Sequence, residues 1–101
     1  MYLRLTTRGA EQQGVQIDRY GTTQGKYLSP IGTSYPERAL PADAIGQGYH
    51  VYEVVRPVDV IQSRVEKAFG ETGGGKQYRL DQPLSWYLDP ANGPYLMEIT
   101  P

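Results

Sequence analysis

The sequence predicts a small α+β domain, a single unit dominated by short antiparallel strands. Three observations carry this. Between residues 15 and 41 six breakers follow one another closely (Gly21, Gly25, Pro30, Gly32, Pro36, Pro41), a density that no helix survives. Downstream, the apolar segments are short and rich in Val, Ile and Tyr, the residue types that fit a pleated surface. Finally, 39% hydrophobic and 21% charged residues in 101 describe a folded chain with one modest core.

Taken in order, the first dozen residues carry little pattern, so residues 1–14 read as a segment left from a larger protein and 15–101 as the domain. Residues 15–41 read as loop with one short strand near 26–28. YHVYEVVR (49–56) reads as a strand with Val51, Glu53 and Val55 on one face and His50, Tyr52 and Val54 on the other, closed by Pro57. VDVIQSRVEKAF (58–69) fits a strand or a short helix; its β-branched start and Gly70 at its end favour the strand. KQYRL (76–80) is a third strand, LSWYL (84–88) one helical turn before the turn signal DPANG, and PYLMEIT (94–100) the last strand. No internal repeat or second domain boundary is visible.

Composition excludes several classes. A formal net charge of -1 is unlike the basic face of a nucleic-acid binder. No apolar run approaches the ~20 residues of a membrane span, and MYLRLTTRGA has no signal-peptide core, so secretion by its own leader is not expected. Without cysteine there are no disulfides and no thiol chemistry; with His50 alone, no zinc site or other metal centre is expected. Nine Tyr against a single Phe69 and a single Trp86 suit a small core that opens onto a polar cleft.

GETGGGKQ (70–77) comes within one residue of a nucleotide-triphosphate P-loop. That loop needs a Ser or Thr for magnesium and a helix to follow. Gln77 stands in the hydroxyl position, and YRLDQPL alternates into Pro83 instead of starting a helix. The local pattern is a flexible glycine hairpin between two strands. Its glycines permit close approach to a backbone, and Gln77 offers an amide beside them.

Five stretches occur in one order: DRYG (18–21), KYLSPIG (26–32), ERALP (37–41), YHVYEV (49–54) and FGETGGGKQY (69–78). Together, over about residues 15–99, they make the chain resemble the tuberculosis necrotizing toxin (TNT) domain family of delivered bacterial toxin domains and related fungal secreted enzymes. The resemblance implies a mostly antiparallel fold distantly like ADP-ribosyltransferases and an NAD(P) glycohydrolase, which splits its substrate into nicotinamide and ADP-ribose and depletes the target cell. It implies no cofactor beyond NAD or NADP as substrate. A larger delivery polypeptide, bacterial secretion, action in the target-cell cytoplasm and a cognate immunity protein are also implied. Matched motif by motif, it places Arg19, His50 and Gln77 in catalysis and Tyr20, Tyr27, Arg38, Gly74 and Gly75 on the substrate. The chain departs from the family at Glu71-Thr72, where Gln-Pro is common, and at Lys76, where Thr is common.

Nicotinamide leaves as a neutral pyridine, so the general acid of ordinary glycosidases is dispensable. Arg19 and Arg38 suit a pyrophosphate, because a guanidinium fork matches phosphate oxygens. Tyr20 and Tyr27 either stack on nicotinamide and ribose or simply pack. Gln77, uncharged, positions ribose hydroxyls and water. His50 either activates water or is a half-buried strand histidine. No E-x-E or Q-x-E carboxylate pair is present, and Glu71 is the one candidate for an assisting carboxylate. An ADP-ribosyltransferase and a silent nucleotide-binding module remain the alternatives.

Overall fold

The computed structural model describes residues 2–6 and 15–100, the side chain of Ile45 excepted. Seven strands make one sheet: β1 (Tyr2–Leu5), β2 (Gln16–Tyr20), β3 (Tyr27–Pro30), β4 (Tyr49–Val54), β5 (Val58–Arg64), β6 (Lys76–Arg79) and β7 (Leu96–Glu98). Their order is β1-β5-β6-β3-β2-β4-β7, and every neighbouring pair is antiparallel. Two short helices, α1 (Tyr35–Arg38) and α2 (Leu84–Leu88), and 3-10 turns at Ala42–Gln47 and Pro90–Asn92 complete the α+β architecture.

The strands expected after residue 48 are present with trimmed ends. β4 stops at Val54, β5 leaves the sheet at Arg64 rather than at Gly70, and the one-turn helix α2 lies where LSWYL predicts it. The amino-terminal half needs correction. The stretch read as loop holds β2, near the middle of the sheet. QIDRY has a single aliphatic residue, so its local preference is poor, and pairing on both sides with β3 and β4 overrides it. The expected strand at 26–28 runs instead over Tyr27–Pro30.

A helix also survives among the breakers. Both the backbone N–H and the hydroxyl of Ser34 donate to the Glu37 carboxylate, at 3.4 and 2.8 Å, and Pro36 sits in the first turn, where its missing N–H costs nothing. In the pattern-poor amino-terminal segment, Tyr2–Leu5 form edge strand β1 against β5, with Leu5 buried. Met1 and residues 7–14, the rest of that segment, lie outside the described residues.

The core lies on one side of the sheet. Ile17, Leu28, Tyr52, Val54 and Val60 from the strands meet Leu84 and Tyr87 of α2 there, and all are buried. The other side carries α1 and the Ala42–Gln47 turn, with Ala39, Ala44 and Val51 buried beneath them.

Candidate active site

The register of β2 divides the DRYG motif between the two sides. Asp18 opposes Val51 and Tyr20 opposes Tyr49, whereas Ile17 opposes Tyr52 and Arg19 opposes His50. Directly opposed residues share a face and consecutive residues alternate. Asp18 and Tyr20 therefore face α1, and Arg19 and His50 face the core side. Ser29 opposes Asp18, which puts Ser29 and Tyr27 on the α1 side. Arg79 opposes Tyr27, so Gln77, two residues before it, joins them.

A cavity of about 50 Å³ opens on this α1 side. Asp18, Arg19 and Tyr20 of β2 border it, as do Tyr27, Leu28 and Ser29 of β3. Arg38, Leu40, Val65 and Gln77 complete the lining. Its volume is on the order of a few waters, and it is open to solvent.

At its centre is a buried ion pair, Arg38 Nη1 to Asp18 Oδ1 at 2.7 Å. The rest of that guanidinium is anchored as well: Nε and Nη2 donate to the Thr33 carbonyl at 3.0 and 2.8 Å. Its face lies 5.0 Å from the Tyr20 ring centroid. Tyr20 meets Tyr35 edge-on at 5.2 Å and Tyr49 at 5.0 Å. The Tyr49 hydroxyl donates to Asp18 Oδ2 at 2.6 Å. Burial first, then that bond, push its pKa up to about 12. Across the cavity, Gln77 Nε2 donates to Ser63 Oγ at 3.1 Å, which fixes the amide plane. The Tyr27 ring is exposed at the rim.

The core side of the same strands is organised differently. Arg19 Nε donates to the Thr22 carbonyl at 2.8 Å and Nη1 to the Tyr27 carbonyl at 2.9 Å. Its guanidinium thus closes the β2–β3 connection, and burial lowers its pKa. It lies so close to Gly25 that a Cβ there would sit 2.0 Å from Nη2. His50 Nδ1 lies 2.7 Å from Glu98 Oε2, which also accepts from Thr100 Oγ1 at 2.7 Å. Thr100 first, then His50, hold Glu98 below the usual glutamate range. Burial, then Glu98, push Tyr52 up to about 12, against the pull of Arg19. The Tyr52 hydroxyl has no hydrogen-bond partner among the described residues.

The glycine run sits in the β5–β6 hairpin and approaches protein. Gly73 and Gly75 donate to the carbonyls of Pro36 and Glu37, which ties the hairpin base to α1. At Gly73, φ is +66° and a Cβ would lie 2.8 Å from the Val65 carbonyl oxygen, so only glycine fits.

The cavity therefore gathers Tyr20, Tyr27, Arg38 and Gln77, with Arg19 at its border and the Arg19 guanidinium directed away. His50, Gly74 and Gly75 are not among the lining residues. Asp18, Ser29 and Tyr49 were missed by sequence reasoning. Asp18 stands inside the quoted DRYG motif, and recognising β2 as a strand would have paired it with Tyr20. Among the described residues no group of three or more His, Cys, Asp or Glu could hold a metal ion, and no helix is long and apolar enough to cross a membrane.

Comparison with known proteins extends the picture. The family model of tuberculosis necrotizing toxin matches residues 12–93. A conidial surface nicotinamide adenine dinucleotide glycohydrolase, nadA, of Aspergillus fumigatus is 32% identical over 72 residues, which is 64% of this chain and 31% of that protein. A solved structure of tuberculosis necrotizing toxin complexed with its immunity factor aligns with a TM-score of 0.59 and 28% identity, over 76% of this chain and 43% of that one. The chain thus spans less than half the length of either relative.

Proposed function

Because this chain belongs to the tuberculosis necrotizing toxin family, we propose that it is an NAD(P) glycohydrolase whose site is the cavity between β2, β3, α1 and Gln77. The supporting observation is that four residues assigned to substrate or catalysis from separate motifs, Tyr20, Tyr27, Arg38 and Gln77, line one cavity. The Aspergillus relative, named for this activity, adds the substrate class.

The chemistry follows from the leaving group. The bond from the anomeric carbon to nicotinamide breaks with its electron pair going to the ring nitrogen, so positive charge passes from the pyridinium to the ribose. Water then adds to that carbon and releases a proton to solvent. No side chain has to protonate the leaving group. The chain has to orient the ribose, place the water and favour a cation at the right spot. Gln77, oriented by Ser63, offers an amide to ribose hydroxyls and water. Tyr27 at the rim and Tyr20 in the wall provide aromatic surface for the nicotinamide ring. Arg38, its charge offset by Asp18, lines the cavity with its face on Tyr20, and Arg19 holds the Tyr27 backbone in place. A cavity of about 50 Å³ takes only the reacting end, so most of the dinucleotide lies outside it, over the rim.

The same reading carries an architecture distantly like ADP-ribosyltransferases, a larger delivery polypeptide, secretion by a bacterial producer and action in the target-cell cytoplasm. An immunity protein that covers the rim is the corresponding partner, by likeness to the relative solved with its immunity factor. Incubation with NAD labelled in the ADP-ribose moiety tests the reaction type. The label is expected as free ADP-ribose; label retained on protein would make the domain a transferase.

A further inference from the structure

Asp18 has no step of its own in the mechanism above, yet no part of it reaches solvent. A buried ion pair is seldom more stabilising than apolar side chains of the same volume, so its presence on a cavity wall calls for a functional account. Asp18 Oδ2 accepts from the Tyr49 hydroxyl, and Oδ1 meets Arg38 Nη1 as an ion pair at 2.7 Å but takes no hydrogen bond among the described residues. The Arg38 side chain is itself 4% exposed. Without Asp18, the cavity lining would carry an uncompensated cation in a poorly solvated place.

We propose that Asp18 is a positioning residue that locks Arg38 and cancels its charge, so that the cation developing on the ribose meets a neutral wall. The proposal rests on the glycohydrolase reading. The reaction moves a unit positive charge onto the ribose, and a like charge nearby raises the energy of that state, the more so where water is excluded. The bound dinucleotide, by contrast, brings two phosphate charges that an unbalanced arginine attracts. Loss of the Asp18 charge therefore has opposite effects on ground state and transition state: binding holds or tightens while turnover slows. A merely structural Asp18 would not split the two. The two bonds to Thr33 and the Tyr20 face keep Arg38 in place when the carboxylate becomes an amide.

The test compares wild type, Asp18→Asn, Arg38→Gln and the double variant in NAD hydrolysis, with thermal melting beside each. For folded Asp18→Asn, kcat is expected to fall about tenfold or more while KM stays level or drops. Removal of the arginine charge as well returns kcat above that of Asp18→Asn. An unchanged kcat in Asp18→Asn, or a double variant no faster than it, overturns the proposal and leaves the glycohydrolase reading standing. Should Asp18→Asn fail to melt cooperatively, the double variant decides alone: kcat within about tenfold of wild type supports charge cancellation, and a larger loss overturns it. A wild type without turnover sinks the reading itself and the proposal with it.

Discussion

Asp18, Arg19 and Tyr20 are consecutive residues, but the sheet sends them to two environments. On the α1 side, Asp18 and Tyr20 join Arg38 and Gln77 around a cavity, with Asp18 paired to Arg38 and bonded to the Tyr49 hydroxyl. On the core side, Arg19 is bound to carbonyls of its own connection and His50 to a carboxylate of β7. Tyr49 and Tyr52 express the contrast most simply. Both hydroxyls are pushed up to about 12, chiefly by burial, but Tyr49 has a carboxylate to donate to and Tyr52 has no such partner. The same upward direction thus accompanies a hydroxyl that donates to a carboxylate on one face and one without a partner among the described residues on the other.

Substitutions can break that comparison, and the largest effect is expected on the core side. Ile17→Ala, one residue before Asp18, removes a side chain with no exposed surface and should cost about 2–5 kcal/mol. In thermal melting this is a drop of roughly ten degrees or more. Next comes Tyr49→Phe, which leaves Asp18 Oδ2 without its donor and should cost about 1–3 kcal/mol. Tyr52→Phe should move stability the other way, by up to about 1 kcal/mol, because it removes a buried hydroxyl that bonds to nothing described. Equal losses in the two Tyr→Phe variants would erase the distinction between the faces.

Glu98→Gln gives the smallest expected effect and a pH signature. The folded-state pKa of Glu98 is lowered, so its contribution is present above the ordinary value of 4.5 and is lost as pH falls through the lowered one. The pair is largely exposed, and solvent screening limits the contribution to less than about 1 kcal/mol. Melting temperatures of wild type and Glu98→Gln should differ by a few degrees at neutral pH and converge only once pH has fallen below the lowered folded-state pKa of Glu98. A constant gap would mean that hydrogen-bond geometry, and not charge, holds His50 to β7.

The sequence was most legible where local preference and final structure agree. β4 and β5 are runs rich in Val, Ile and Tyr, β6 and β7 follow the glycine run and the DPANG turn, and α2 occupies the predicted turn. β2 was not legible, because QIDRY is stabilised by two neighbours that no local window contains. The site divides in the same way. Tyr20, Tyr27, Arg38 and Gln77 were recognisable from motif order. Asp18 and Tyr49 were not, because an acid becomes buried and partnered only once register has placed it. The glycines were read as the place where a ligand approaches the backbone; in this structure Gly73 and Gly75 approach the backbone of α1, and Gly73 that of its own hairpin as well.

The central claim is that the face bearing Gln77 breaks the nicotinamide–ribose bond. Release of free nicotinamide from NAD by the purified chain, with wild type and Gln77→Ala side by side, tests it most directly. The account predicts release by wild type and a loss of about a hundredfold in a Gln77→Ala variant that melts like wild type. No release by wild type at high protein concentration, or a folded Gln77→Ala variant as fast as wild type, would contradict it.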